Sequence, residues 1–264
     1  MVKVDIAFDE VENIKKIREL SVVLYPDSFF YGLWSDDDTL VKTDSHSLDN
    51  FGKLLQILSK TYKFKIARLM STVKPFVHLP RAEYQKKYYE DYFDGVYDVQ
   101  QRKSSKKDVD DFLREEITTL HYLNKKVYKA LGASDIPFKS AHISTALASY
   151  SFLIEADLIC YFDASIMHIC YARDGKFMLY NQYYCEQAED YLYYILMVMD
   201  HFKLDPLSAA VQIGGYISND SAVMKLLSAY IKKLHIVDQN IQLPENNKTS
   251  KQYYYDLYLC KSCV

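Results

Sequence analysis

Glycine is scarce, with seven residues in a chain of 264. Backbone N–H groups reach a bound phosphate most closely where no side chain intervenes, so this poverty weighs against a nucleotide-driven machine. The chain contains no G-x-x-x-x-G-K, no G-x-G-x-x-G and no G-x-S-x-G, which removes the P-loop, dinucleotide-fold and serine-hydrolase readings. Charge of one sign is also missing. With 32 Lys and Arg against 35 Asp and Glu, the net charge is −3, which gives no general pull toward nucleic acid or acidic membrane. No apolar run approaches the length that crosses a bilayer. Met1–Arg18 carries charges throughout and lacks the apolar stretch and small-residue site of a signal peptide. The expectation is a cytoplasmic protein with no membrane span and no nucleic-acid partner.

Metal-binding patterns are absent as well. The seven histidines, at 46, 78, 121, 142, 168, 201 and 235, form no H-x-x-x-H pair and have no adjacent cysteine. Asp36-Asp37-Asp38 lacks the alternating ligands and glycine of a calcium loop. Five cysteines are an odd number, and Cys160, Cys170 and Cys185 fall in or beside predicted strands, so no disulfide framework is expected. Cys260 and Cys263 make a C-x-x-C pair near the end of the chain, without the two further ligands that zinc needs. No metal site and no catalytic residue is predicted.

What the chain has is tyrosine, 25 of them. Tyrosine joins an apolar ring to a polar tip and suits contact surfaces; half-buried packing on strands and helices is the plainer use of most of these rings. Two clusters stand out as candidate interaction surface, Tyr84, Tyr88, Tyr89 and Tyr92 in one and Tyr253, Tyr254 and Tyr255, with Tyr258, in the other.

The clearest pattern lies between Asp157 and Asp238. Leu158–Asp163 and Ile166–Tyr171 read as short strands, and Asp174-Gly175 turns the second into a third, Lys176–Asn181. From Cys185 to Lys203, Ala188, Tyr191, Leu192, Ile195, Leu196, Met199 and Phe202 recur at helical spacing. Ser208–Ile213 is then a buried strand, Gly214-Gly215 a turn, Ser218–Asp220 a helix start, Ala222–Lys233 a helix and Leu234–Val237 a last strand. The order is β-β-β-α-β-α-β.

The first half opens the same way. Leu20–Tyr25, Phe29–Trp34 and Thr39–Thr43 are three short runs, Leu48–Tyr62 is a helix with Ser47 or Asp49 as its cap, and Lys63–Met70 is a strand. The chain then departs from the plan. Pro75–Leu79 reads as an extra strand, Arg81–Tyr92 as a helix ended by Gly95, and Gln101–Asp111 as a solvated polar loop. Glu115–Leu123 is ambiguous between strand and helix, and Asn124–Leu131 reads as a helix stopped by Gly132. The boundary between halves is placed near Tyr150.

A repeated β-β-β-α-β plan of this kind resembles the actin, sugar kinase and heat-shock ATPase superfamily, and an insertion at this point resembles its cell-division and pilus-assembly branch. With the Ile117–Leu123 segment, the H-x-x-T of His142–Thr145, the F-D-A-S of Phe162–Ser165 and the tail after Gln252, the chain resembles a bacterial domain-of-unknown-function family, number 3822. The resemblance implies an α/β, two-lobed actin-like (ribonuclease H-like) fold. Residues 1–150 would form the first lobe with an insertion at about 71–111, residues 151–251 the second, and 252–264 a tail packed back on the first.

In that superfamily each lobe opens with a hairpin whose D-x-G turn holds phosphate. The matching positions here are Asp27 and Ser28, followed by Phe29, and Asp163, Ala164 and Ser165. The aspartates are kept and the glycines are lost. Gly214-Gly215 resembles the adenosine-side pair, with the Ser218/Asn219 helix start as an anion site. A carboxylate or glutamine that activates water has no match. The expected function is a non-catalytic scaffold with degenerate phosphate loops, acting through a protein partner or a second copy of itself, without a cofactor. The alternative is a divergent ATPase or phosphotransferase that binds ATP and magnesium through the same residues.

Overall fold

The computed structural model describes residues 17–97, 105–111, 117–154, 156–163, 165–237, 241–243 and 249–263. They form two compact units. The described residues of 17–146, 241–243 and 257–263 make the first, and those of 147–237 and 249–256 the second.

The first unit is built on a five-stranded mixed sheet. Strands β1 (Ile17–Leu24), β2 (Ser28–Ser35) and β3 (Leu40–Ser47) form an antiparallel meander, and helix α1 (Phe51–Thr61) returns the chain to β4 (Ile66–Ser71), parallel to β1. Alternation along β1 sends Leu20, Val22 and Leu24 to one face, where they meet Phe29, Tyr31 and Leu33 of β2 and Phe51, Leu55 and Leu58 of α1. Ser47 begins the helical segment, its Oγ accepting from the Asp49 N–H at 3.4 Å ahead of a short 3-10 turn, Leu48–Asn50.

After β4 comes a separate antiparallel sheet, formed by β5 (Phe76–Pro80), β6 (Ser105–Asp111) and β7 (Ile117–Asn124) in the order β5-β7-β6. Two expectations are corrected there. Arg81–Tyr92 is not a continuous helix but three 3-10 turns, Arg81–Glu83, Lys86–Tyr88 and Asp91–Phe93. Tyr84 and Gln85 adopt extended backbone between the first two, and the Tyr92 hydroxyl sits at that break, accepting from the Gln85 N–H and donating to Glu83 O. Gln101–Asp111 is not all loop, because Ser105–Asp111 pairs with β7 from Ser105↔Asn124 to Asp111↔Thr118. Its polar composition conceals a strand that pairing with β7 creates. The three-stranded sheet therefore takes in β7, which ends at Asn124. Helix α2 (Lys125–Gly132), capped by Asn124, leads to β8 (Phe138–His142), which completes the main sheet in the order β3-β2-β1-β4-β8.

Helix α3 (Ile143–Ser151) carries the chain from one unit to the other, the division falling between Ala146 and Leu147. In the second unit β9 (Leu158–Asp163), β10 (Ile166–Arg173) and β11 (Lys176–Tyr184) form a meander. Helix α4 (Ala188–His201) and strand β12 (Ala210–Gly215) follow, then helix α5 (Ala222–Tyr230) and strand β13 (Lys233–Ile236). The sheet order is β11-β10-β9-β12-β13. β9 is central and buried along its whole length, as an uninterrupted apolar run requires. Leu158, Cys160 and Phe162 point toward Tyr191, Ile195, Val198 and Met199 of α4. That helix starts at a capping box, where Asp190 Oδ2 accepts the N–H groups of Glu186 and Gln187 at 2.8 and 2.9 Å.

Helix α5 starts at Ala222, as its spacing indicates, but its cap is not the Ser218–Asp220 start that was expected. Ser221 is the cap, so Ser218 and Asn219 precede the helix and are not its N-terminus. The chain ends with a 3-10 turn, Lys251–Tyr254, and helix α6 (Tyr255–Cys263). No helix among the described residues is long and apolar enough to cross a membrane.

Candidate functional site

The two hairpins singled out in the sequence are not equivalent. In the second unit Asp163 ends β9 and pairs with Ile166, so the hairpin turn lies between them and contains Ser165. In the first unit Tyr25 N–H donates to Ser28 O at 2.9 Å, so Pro26 and Asp27 form the turn. By register Tyr25 holds the place of Asp163, and Asp27 holds that of Ser165. Asp27 is exposed, with its carbonyl accepting from the Leu48 N–H at 3.0 Å, while Asp163 is buried. Phe29, expected to crowd a phosphate at the first turn, lies within β2 with its ring in the core, edge-on to Phe51 at 5.2 Å. Ala164 lies outside the described residues, and Ser165 is exposed.

Gly214-Gly215 has a structural account. Gly215 adopts φ +97°, and a Cβ there would stand 2.3 Å from Phe162 O. Gly214 takes an aromatic ring against its backbone, and the ring belongs to Tyr255, since a Cβ on Gly214 would lie 2.2 Å from Tyr255 Cδ1. The flat group that the pair admits is thus supplied by the chain itself. The Ser218/Asn219 anion site loses its basis because Ser221, not Ser218 or Asn219, caps α5.

Around this point the second unit buries a polar constellation. Asp163 and Asp256 are 5% and 1% exposed. Tyr161 Oη donates to Asp256 Oδ2 at 3.4 Å, and the Tyr161 ring lies between those of Tyr255 and His168, at 6.1 and 5.3 Å. Tyr216, whose N–H donates to Phe162 O at 2.9 Å, has its phenol pushed well above the ordinary range. Burial is the main cause, followed by the carboxylates of Asp256 and Asp163. On the next strands His168 Nδ1 and Gln182 Nε2 meet the Tyr180 hydroxyl at 2.8 and 2.9 Å. Asp256, Tyr161, Tyr216 and His168 were not singled out in the sequence. The alternation that puts Tyr161, with Asp163, on the face opposite Cys160 and Phe162 was a usable signal for one of them, Tyr161.

The first unit has a polar cluster of its own. Sequence spacing gave no histidine pair, yet pairing of β5 with β7 and of β4 with β8 draws His78, His121 and His142 together. His142 stacks on Phe76 with ring centroids 4.6 Å apart and lies 5.6 Å from His121. His142 Nδ1 meets Ser144 Oγ at 2.7 Å, and Thr119 Oγ1 meets both His78 Nδ1 and Thr145 Oγ1. Among the described residues no three His, Cys, Asp or Glu side chains converge to hold a metal ion.

The candidate tyrosine surfaces are largely core. Tyr89 is buried, its hydroxyl donating to His121 O and its ring edge-on to Tyr122. Tyr84 and Tyr92 are half-buried beside it, and Tyr88 alone of the four is exposed. In the tail Tyr254 and Tyr255 are buried and Tyr253 is half-buried beside Tyr216. The tail expected to return to the first lobe is divided. Residues 249–256 belong to the second unit, and from Leu257 the chain belongs to the first, where Leu257 packs against Gly32 and Cys260 Sγ reaches Val22 O at 3.5 Å. Cys260 is buried, and the side chain of Cys263 lies outside the described residues.

Comparison with known proteins places this architecture. It is similar to the crystal structure of a protein from Bacteroides thetaiotaomicron VPI-5482 with an actin-like ATPase fold and unknown function. The TM-score is 0.73 at 18% identity, over 96% of this chain and 99% of that one. It is also similar to a chain of the PilM–PilN type IV pilus biogenesis complex, with a TM-score of 0.59 at 9% identity over 93% and 98% of the two chains. No curated protein matches by sequence. The fold is therefore of the actin-like ATPase type, with two similar mixed-sheet lobes. Residues 34–234 match the family described as "Protein of unknown function (DUF3822)", and the chain belongs to that family.

Proposed function

We propose that this protein is a non-catalytic actin-like scaffold, acting in the cytoplasm through contacts with protein partners. The observation that carries the reading is the seat of Tyr255 on Gly214, where the chain's own ring occupies the backbone that a flat ligand would need. The unequal hairpins support it, because Asp27 and Asp163 stand at different register positions and offer no matched pair of phosphate turns. A likeness in fold to PilM, a component of a complex with PilN, is consistent with an assembly role. Cys160, Cys170 and Cys185, buried and outside any disulfide among the described residues, fit a reducing compartment.

One observation favours the alternative of a divergent ATP- and magnesium-binding enzyme. Asp163 is a buried carboxylate at a strand end, with a second carboxylate, Asp256, acting on the same phenol. Calorimetric titration with ATP and magnesium separates the two readings. The scaffold reading expects no heat from the wild type at protein concentrations of about 100 µM, enough to detect weak binding. Saturable heat that vanishes in a folded Asp163→Asn variant would overturn it.

A further inference from the structure

We infer that the lysine-covered face of helices α1 and α2 in the first unit docks the exposed face of α4 in the second unit of another copy of this chain. The inference rests on the scaffold reading and names one of its partners. Residues 48–65 and 125–132, which span the two helices and the exit from α1, hold seven lysines against one acidic residue, Asp49, a balance of +6 in a chain whose net charge is −3. Residues 186–205, which span α4 and its ends, hold five acidic residues against one lysine and one histidine. Both α1 and α4 carry the chain from a meander to a strand parallel to the first strand of that meander. Equivalent places in the two lobes thus carry opposite charge.

The two helices of the first unit lie side by side. A Cβ on Gly52 would stand 3.5 Å from Ala130 Cβ, and Lys126 Nζ reaches Asp49 Oδ1 at 2.5 Å. Phe51, Leu55 and Leu58 of α1 and Val127 of α2 turn to the same core. At about 100° per residue, Lys53 and Lys60 of α1 and Lys129 of α2 therefore project away from the sheet, and all three are exposed. Ile57 and Tyr128, 51% and 47% exposed, flank these lysines and set apolar surface beside the charges.

On α4 the core takes Tyr191, Ile195, Val198 and Met199. The opposite face presents Glu186, Glu189, Tyr193, Met197 and Asp200 at three- and four-residue spacing, all exposed. Lys203 Nζ lies 3.3 Å from Asp200 Oδ1, a surface pair that a lysine of another copy replaces at little cost. Each face thus sets an apolar pair among charges of one sign, and the two signs are opposite. Every cation of the first face is a lysine, a point charge suited to attraction between surfaces. Neither face complements itself, since like charges would meet. The contact is therefore heterologous: each copy gives one face and keeps the other for a further copy.

The test is sedimentation velocity of the full chain over a wide concentration range at about 50 mM salt. The wild type is expected to associate reversibly beyond a dimer and to dissociate as salt rises to about 0.5 M. Two variants are each expected to weaken self-association at least tenfold: Lys53→Glu with Lys60→Glu and Lys129→Glu in one, Tyr193→Ser with Met197→Ser in the other. Mixed together, they are expected to form a one-to-one complex that grows no further, because the α4 face of the first still meets the intact lysines of the second. Loss of folding does not produce that recovery. A wild type that stays monomeric at about 100 µM, variants that associate as the wild type does, or variants that stay apart when mixed would each overturn the inference. So would a monomeric wild type that binds phosphatidylserine vesicles through the same lysines. Heat from nucleotide is read separately, so failure here is distinct from failure of the scaffold reading.

Discussion

Gly214 and Gly215 are adjacent and glycine for different reasons, and the difference is measurable. At Gly214 the obstacle is the Tyr255 ring, 2.2 Å from where a Cβ would stand; at Gly215 it is backbone, Phe162 O at 2.3 Å, with φ at +97° besides. A side chain can shift and a paired strand cannot. Gly214→Ala is expected to cost about 1–3 kcal/mol in chemical denaturation and to be partly relieved by Tyr255→Leu. Gly215→Ala is expected to cost more and to gain nothing from that second change, since its strain is in the backbone. Equal rescue of both would show the assignment of obstacles to be wrong.

Tyr216 supplies a pH dependence at the same scale. Burial, with the Asp256 and Asp163 carboxylates, raises its phenol above the ordinary value, which is about 10. A group raised in the folded state contributes stability that is fully present below the unfolded value and is lost as pH rises through the folded one. The wild type is therefore expected to lose stability in alkali above about pH 10, and Tyr216→Phe to lose less, read as the urea midpoint against pH. Tyr191, pushed up to about 12 chiefly by burial, acts in the same direction and leaves a residual slope in the variant.

At the scale of elements, the sheet of β5, β6 and β7 and the turns after β5 share an aromatic core. Leu79, Tyr89, Phe93, Leu120 and Tyr122 bury one another beneath three 3-10 turns. Tyr89 and Tyr88 are neighbours with opposite fates, 2% and 43% exposed. Tyr89→Ala removes a buried ring and the hydrogen bond to His121 O. A loss of about 3–5 kcal/mol is expected, as for other buried aromatic truncations. Tyr88→Ala gives up only a surface ring under Lys87 Nζ and is expected to change stability by no more than about 0.5 kcal/mol. A comparable cost at both positions would mean that the turns pack differently from the arrangement described.

Over the whole molecule the chain is shared between two units in a way that its order does not announce. The last described residues leave one core for the other within helix α6, Tyr255 and Asp256 belonging to the second unit and Leu257 and Cys260 to the first.

The sequence by itself determined the strands and helices whose period is local. The meander Leu158–Tyr184 with its Asp174-Gly175 turn and the apolar face of α4 follow from alternation, helical spacing and turn chemistry within a few residues. The same local signals could not find β6, whose polar residues become a strand only against β7. They also turned Arg81–Tyr92 into a helix that Tyr84 and Gln85 interrupt. The candidate site divides along the same line. Asp163 and the glycine pair were visible as residues in the sequence, but only the tertiary structure put Tyr255 on Gly214, Asp256 beside Tyr161, and Asp27 out of register with Asp163. Those relations join positions tens of residues apart, and no periodicity encodes them, because packing fixes them after the local elements have formed.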